Sequence, residues 1–311
     1  MKIKLFKLFE GRSSELTEQD FVDLLNNNCK NFIKNPTILQ RNKNDYDNKR
    51  FYCINPKAHI RTSMISGSGM AGVKSNHGTL LMDNLYSWSK YPKRSQSLIG
   101  MTDYNSYDTF GKYKFFIIPF DGAKFGVCPD SDLWGVESTL FYSDQYSFDD
   151  SLSEMFTGLG VSDKSYDEMM NDFQKVHELW INGDDILNKN EKSISYRAIE
   201  IFIKMSELGY KDVKDGLSDI FDPKNFKSIM SDNNGPDGFE CLDYNGLLEY
   251  KLKYVVDGLT KKEFWTDSEC LLLRIDSGLL DPEELDIKSV KDRFKYQFNF
   301  MIDNYIKKSD S

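Results

Sequence analysis

Apolar residues recur in two rhythms along this chain. From residue 36 to 140 they come in short runs broken by Gly, Pro, Asn and Ser, which is the pattern of strands and loops. Lys114–Pro119 is a β-rich run, Asp121-Gly122 is a turn dipeptide, and Ala123–Cys128 returns, so this stretch predicts a hairpin. Between 145 and 255 the spacing becomes three and four residues. SLSEMFTGLG, SYDEMMNDFQKVHELWING and SYRAIEIFIKMSELG read as amphipathic helices. DYNGLLEYKLKYVVDGL follows as a helix or a long strand, and Cys270–Ile275 as a short buried strand. SVKDRFKYQFNFMIDNYIKK is a closing helix whose Phe, Tyr and Ile stripe reads as core packing. At the other end, Lys2–Phe9 alternates in part. Thr17, with Asp20 three residues on, predicts a capped helix through FVDLLNNNCKNFI.

These elements predict an α+β protein. Its β-rich core of two short sheets, with flanking N- and C-terminal helices, is drawn from residues 1–144 and 256–311, and residues 145–255 form a mainly helical insertion. The 22 Phe and 17 Tyr supply large rings for a packed core. No apolar run approaches the ~20 residues of a spanning helix. Lys7 and Glu10 break the apolar stretch at the N-terminus, so it does not read as a signal peptide. Five scattered cysteines (Cys29, Cys53, Cys128, Cys241 and Cys270) form no CxxC and fit a reducing, cytoplasmic compartment. His59, His77 and His177 lie far apart without HExxH, so no metal site is expected. The net charge of −9 hides an asymmetry: residues 1–140 carry 19 Lys and Arg against 14 Asp and Glu. An anionic partner, NAD or a nucleic acid, is therefore expected on the first half. GSGMAG, in a Gly- and Ser-rich loop, echoes GxGxxG but lacks a surrounding βαβ unit.

Three polar positions stand at the ends of β-rich pieces. Arg41 follows the apolar ILQ. Ser95 and Ser97 lie in YPKRSQSLIG, before Leu98–Ile99. Glu263 lies in KEFWTDSECLLLRI, before the CLLLRI strand. This Arg, Ser-x-Ser and Glu order resembles the Arg–Ser–Glu constellation of the ADP-ribosyltransferase superfamily. The hairpin-like segment after the Ser motif is a further likeness. The resemblance implies cleavage of the nicotinamide–ribose bond of NAD through an oxocarbenium-like state. It gives Glu263 the stabilising carboxylate and Arg41 the planar fork for pyrophosphate or ribose. Ser95 positions the ribose, with Ser97 in support. NAD is then a substrate, and the acceptor is a macromolecule. Gln96 and Arg94 stand where the family has Thr and an aromatic residue. Lys261 replaces the acidic residue typical of arginine modifiers, which leaves the acceptor open.

Rivals exist for two of these roles. Arg61, before the Gly-rich loop, can replace Arg41 in an anion-binding turn. Glu137 can replace Glu263, although the Pro-Asp-Ser-Asp stretch before it reads as a loop and Glu137 itself as a turn. A second reading keeps the N-glycosidic chemistry and makes the chain a glycosylase that excises a base from DNA or RNA without a cofactor. Lys90, Lys93 and Arg94 would then contact phosphates, while Tyr86, Trp88 and Tyr91 stack on bases. A third reading is a non-catalytic binding or structural protein of viral origin, with the acidic helical half as its partner surface.

Overall fold

Thr17 opens the first helix, α1 (Glu18–Asn28), as the capping pattern predicts. Its hydroxyl accepts from the Asp20 amide, and the Asp20 carboxylate accepts from the Thr17 amide. The computed structural model describes residues 14–43, 50–58, 77–102, 113–131, 133, 136–138, 156, 159–161, 165–183, 196–228, 238–254, 262–275, 296 and 298–306. After Cys29 comes α2 (Lys30–Lys34), whose first two amides donate to the Asp121 carboxylate. The other helices are α3 (His77–Asn84), α4 (Tyr166–Ile181), α5 (Tyr196–Glu207), α6 (Val213–Ile220) and α7 (Tyr244–Tyr254). The chain divides into two compact units. The first comprises Met1–Ile60, Gln96–Val127 and Cys241–Ser311, and the second Arg61–Ser95 and Cys128–Glu240. The helix or strand expected at 243–259 is helix α7 and belongs to the first unit.

An open antiparallel sheet of nine strands organises the first unit. In chain order these are β1 (Ser14–Glu15), β2 (Gln40–Lys43), β3 (Phe51–Ile54), β4 (Leu98–Met101), β5 (Tyr113–Pro119) and β6 (Phe125–Val127). A separate ribbon in the second unit pairs β7 (Val136–Ser138) with β8 (Phe226–Ser228). The sheet is completed by β9 (Glu240–Leu242), β10 (Glu263–Thr266) and β11 (Cys270–Arg274). Spatially the order is β1-β3-β11-β5-β2-β4-β10-β6-β9.

This order cannot lie flat. β10 and β11 are four strand steps apart, about 19 Å at the usual strand spacing. The chain from Thr266 to Cys270 can reach only about 14 Å. The sheet therefore folds back on itself. The fold lies at β2–β4, which are joined by the single register pair Gln40↔Met101. The two short sheets expected from the sequence are thus two wings of one sheet. Register shows which face is inside. Gly100 of β4 lies so close to Ile117 of β5 and Phe264 of β10 that no Cβ fits. Phe115, Ile117, Leu272, Phe264 and Phe125 share that inner face by strand alternation. On the outer face, Phe51 packs against Phe21 of α1 and against Tyr305 of the C-terminal helical turns, and Phe116 packs against Phe298.

The predicted hairpin is corrected by this topology. Both strands form, and Gly122 takes a φ of 82° in the expected turn. But β6 pairs with β10, and β5 pairs with β2 and β11. The turn crosses between wings because its amides are engaged elsewhere: Phe120 donates to the Glu269 carbonyl and Asp121 to that of Asn28.

The second unit packs helices around aromatic rings. Phe173 and His177 of α4 meet Phe202 of α5, and Phe156 bridges Phe173 and His77. These are the faces that the helical spacing predicts. The helix expected at 151–160 lies largely outside the described residues, of which Phe156 is fully buried.

Candidate functional site

The segments that carry Arg41, Ser97 and Glu263 come from distant parts of the chain and meet at the seam of the sheet. Arg41 is the second residue of β2, Ser97 immediately precedes β4, and Glu263 opens β10, in the spatial order β2-β4-β10. Gln40, Met101 and Glu263 stand in one row across these strands. Glu263 is 4% exposed and Gln40 1%, so the row places a carboxylate and an amide in a protected environment.

Side-chain direction separates what the sequence brings together. Glu263 shares its face with Met101 and Gln40, whereas Arg41, one residue on from Gln40, shares its face with Phe115. Arg41 is therefore on the inner face and Glu263 on the outer. The two residues, read from the sequence as partners at one NAD, are thus set on opposite faces of the sheet by the alternation of period two. The Arg41 charge instead acts on Cys270: burial pushes that thiol far above its ordinary range, Cys53 adds to the rise, and Arg41 opposes it. Ser97 lies at the opposite end of β4 from Met101, four residues and about 13 Å along the strand from the Glu263 row. It is 4% exposed.

Ser95 belongs to the second unit, where it is held by Asp83. Its amide donates to both carboxylate oxygens, at 3.2 and 3.4 Å, and its hydroxyl also donates to that carboxylate. Burial raises the Asp83 pKa, while the bonds from Ser95 and Arg94 and the charge of Lys93 pull it back. Ser95 thus anchors the 3₁₀ turn Arg94–Gln96 to the end of α3.

The proposed stacking residues are also corrected. Trp88 is 2% exposed and donates its indole N–H to the Phe221 carbonyl. Tyr91 is 7% exposed and donates its hydroxyl to the Phe239 carbonyl. Both rings belong to an aromatic cluster with Phe226 and Phe239. With their polar tips satisfied by backbone, they are core. Arg94 is also buried, which removes it from an exposed phosphate rim. Tyr86, Lys90 and Lys93 remain at the surface, with Tyr86 64% exposed and the Lys90 ammonium 5.2 Å from the Tyr91 ring centroid.

Glu137, expected at a turn, lies in β7 opposite Lys227, in the second unit. Arg61 and the GSGMAG loop lie outside the described residues. Among the described residues, no group of His, Cys, Asp and Glu is arranged to hold a metal ion, and no helix is long and apolar enough to cross a membrane. Asp83, Lys262, Thr102 and Arg274 escape sequence reasoning. Arg274 is visible as a cation at a strand end, but only register sets it in one row with Arg41. Nothing in the sequence links Asp83 to Ser95. Compared with protein-family models, curated proteins and solved structures, the chain matches none.

Proposed function

We propose that this chain cleaves an N-glycosidic bond, and that its reaction is transfer of ADP-ribose from NAD to a macromolecule. The observation that carries the reading is the adjacency of β2, β4 and β10, with Glu263 buried at the head of its strand. The resemblance is built on these three segments, and the fold makes them neighbours. A carboxylate shielded from water interacts more strongly with the positive charge that develops on the ribose as nicotinamide leaves. Gln40, in the same row, offers an amide to orient either the carboxylate or a sugar hydroxyl. Ser95, held by Asp83, supports its own turn and leaves the substrate contacts to other groups.

Base excision from a nucleic acid is the second reading. It keeps the same carboxylate chemistry and draws on the exposed Tyr86, Lys90 and Lys93. The test is nicotinamide release from NAD by the wild type and by Glu263→Gln. The transferase reading expects release that falls by about 10²- to 10³-fold in the variant. Undiminished release in Glu263→Gln removes that residue from the chemistry. No release from NAD, together with alkali-labile breaks in DNA that depend on Glu263, transfers the reading to base excision.

A further inference from the structure

The second unit presents an exposed aromatic ring beside unpaired carboxylates on one side of α6. Tyr86 is 64% exposed, and its 3₁₀ turn, Tyr86–Trp88, is fixed against α6 and the residue that follows it. The Trp88 indole donates to the Phe221 carbonyl at 2.8 Å, and the Ser87 amide lies 3.5 Å from the Ser218 hydroxyl. Asp215 and Asp219, four residues apart on α6, share one face of the helix. The Tyr210 hydroxyl donates to the Asp219 carboxylate at 3.1 Å. That bond raises the Tyr210 pKa, burial adds to it, and so do the charges of Asp219, Tyr86 and Asp215, which brings the four groups into one neighbourhood. Among the described residues, neither Asp215 nor Asp219 has a cationic partner. Two neighbouring cations are engaged elsewhere. Lys214 lies 3.9 Å from Asp167 and beside the Tyr166 ring, and Lys224 pairs with Asp222 at 3.2 Å. Lys211, next to Tyr210, is exposed and pairs with neither carboxylate.

We propose that this surface docks an arginine-bearing segment of a partner protein, with the guanidinium laid on the Tyr86 ring and against the Asp215 and Asp219 carboxylates. Charge complementarity selects the occupant. The second unit carries 15 Lys and Arg against 25 Asp and Glu, so its field draws in cations. A guanidinium answers both parts of the surface: its plane stacks on an aromatic face, and its fork donates paired hydrogen bonds to a carboxylate. An ammonium meets the charge but lacks the fork. The backbone of the turn is already held by Trp88, so little of its freedom is lost on binding. A nucleic acid would offer a base to the same ring, but its phosphates would meet carboxylates that no cation offsets. Glu263 belongs to the other unit, and the docking surface does not rest on the N-glycosidic reading.

The experiment follows the fluorescence anisotropy of a labelled Gly-Arg repeat peptide titrated with the full-length chain. A Gly-Lys repeat of equal length and an oligothymidylate are the comparisons. The Gly-Arg peptide should bind more tightly than the Gly-Lys peptide, and added salt should weaken both. Tyr86→Ala should weaken Gly-Arg binding by about three- to tenfold. Asp215→Asn combined with Asp219→Asn should weaken it by about tenfold or more. Glu178→Gln combined with Glu207→Gln removes the same charge from exposed positions of α4 and α5, and should change it by less than about twofold. If Asp219→Asn lowers the melting temperature, Tyr86→Ala carries the test. Absence of peptide binding overturns the surface, as does binding by Tyr86→Ala that matches the wild type. Equal losses in the two carboxylate pairs would show attraction by net charge alone and overturn it too. Oligothymidylate binding that falls in Tyr86→Ala gives the ring to a nucleic acid and overturns the protein partner. Self-association in sedimentation that Tyr86→Ala abolishes makes the occupant a second copy of this chain, with the same result for the proposal. Glu263→Gln should bind the peptide as the wild type does. Loss of the catalytic reading and loss of this surface are thus read separately.

Discussion

The two units bury different mixtures of polar groups, although both bury some charge, the helical unit at Arg94 and Asp130. The sheet unit sinks charged side chains into its strands: Arg41, Lys262, Glu263 and Arg274 are all nearly inaccessible. The helical unit buries imidazoles among rings, with His77 against Phe156 and His177 against Phe202 and Trp180. Formal charge runs the other way. The sheet unit carries 25 Lys and Arg against 24 Asp and Glu, the helical unit 15 against 25. The near-neutral unit is the one that buries several charges in its sheet, while the acidic unit keeps many carboxylates on exposed helix faces, where water solvates them. Buried charge has to be balanced by its immediate neighbours, whereas exposed charge mainly sets solubility and long-range attraction. The comparison also dissolves the basic first half seen along the sequence. Lys90, Lys93 and Arg94 belong to the acidic unit.

The comparison breaks first if the sheet does not depend on its close packing. Trp265, fully buried, lies across Gly126 so closely that no Cβ fits there. Trp265→Ala should cost about 3–5 kcal/mol in urea denaturation. A loss below about 1 kcal/mol would mean that the outer face of that wing is not packed as described.

Acidity separates the units next. Burial holds the His177 pKa below the ordinary histidine value, with Glu178 opposing, and neither ring nitrogen has a hydrogen-bond partner among the described residues. The unfolded chain binds a proton at this residue near pH 6.5, before the folded chain does. Its contribution is therefore complete above about pH 6.5 and is lost as the pH falls below that value. Melting temperatures recorded between about pH 7.5 and 5.5 should fall less for His177→Leu than for the wild type. Parallel curves would show that this imidazole is not the acid-sensitive group.

The smallest expected effects are at the caps. Thr17 caps α1 in the sheet unit, and Asp212 accepts from the Lys214 and Asp215 amides at the start of α6 in the helical unit. Thr17→Ala and Asp212→Ala should each lose about 1 kcal/mol. Denaturant midpoints that are unmoved would show that the helix ends fray without consequence.

Local signals in the sequence survive folding, and relational ones do not. The Thr17 cap, the Asp121-Gly122 turn, the CLLLRI strand and the apolar faces of α4 and α5 all depend on neighbours within a few residues, and each forms. The hairpin fails because pairing partners are chosen across the whole chain: β5 takes β2 and β11, although β6 is nearer in sequence. The relation between the candidate residues is lost in the same way. Arg41 and Glu263 both stand at strand ends, as read, but which face each one points to depends on a register set by Gln40 and Met101. Trp88 and Tyr91 look like a stacking platform because their partners, the Phe221 and Phe239 carbonyls, lie far along the chain.

Strand order also sets a timetable for synthesis. β3 is made early, yet one of its two neighbours is β11, near the end of the chain. At about 5–20 residues per second, β3 waits on the order of ten to forty seconds for that partner to leave the ribosome. All of the second unit has been made once Glu240 has been translated, so its helices can pack while the sheet is still missing β10 and β11. During that interval Phe21, Leu24 and Leu25 of α1 and the strand FYCI are an apolar surface without its full cover. The nascent chain should therefore depend on a holding chaperone for its N-terminal segment, and a stop codon placed before β10 should yield a product that aggregates through β3 rather than a smaller folded protein.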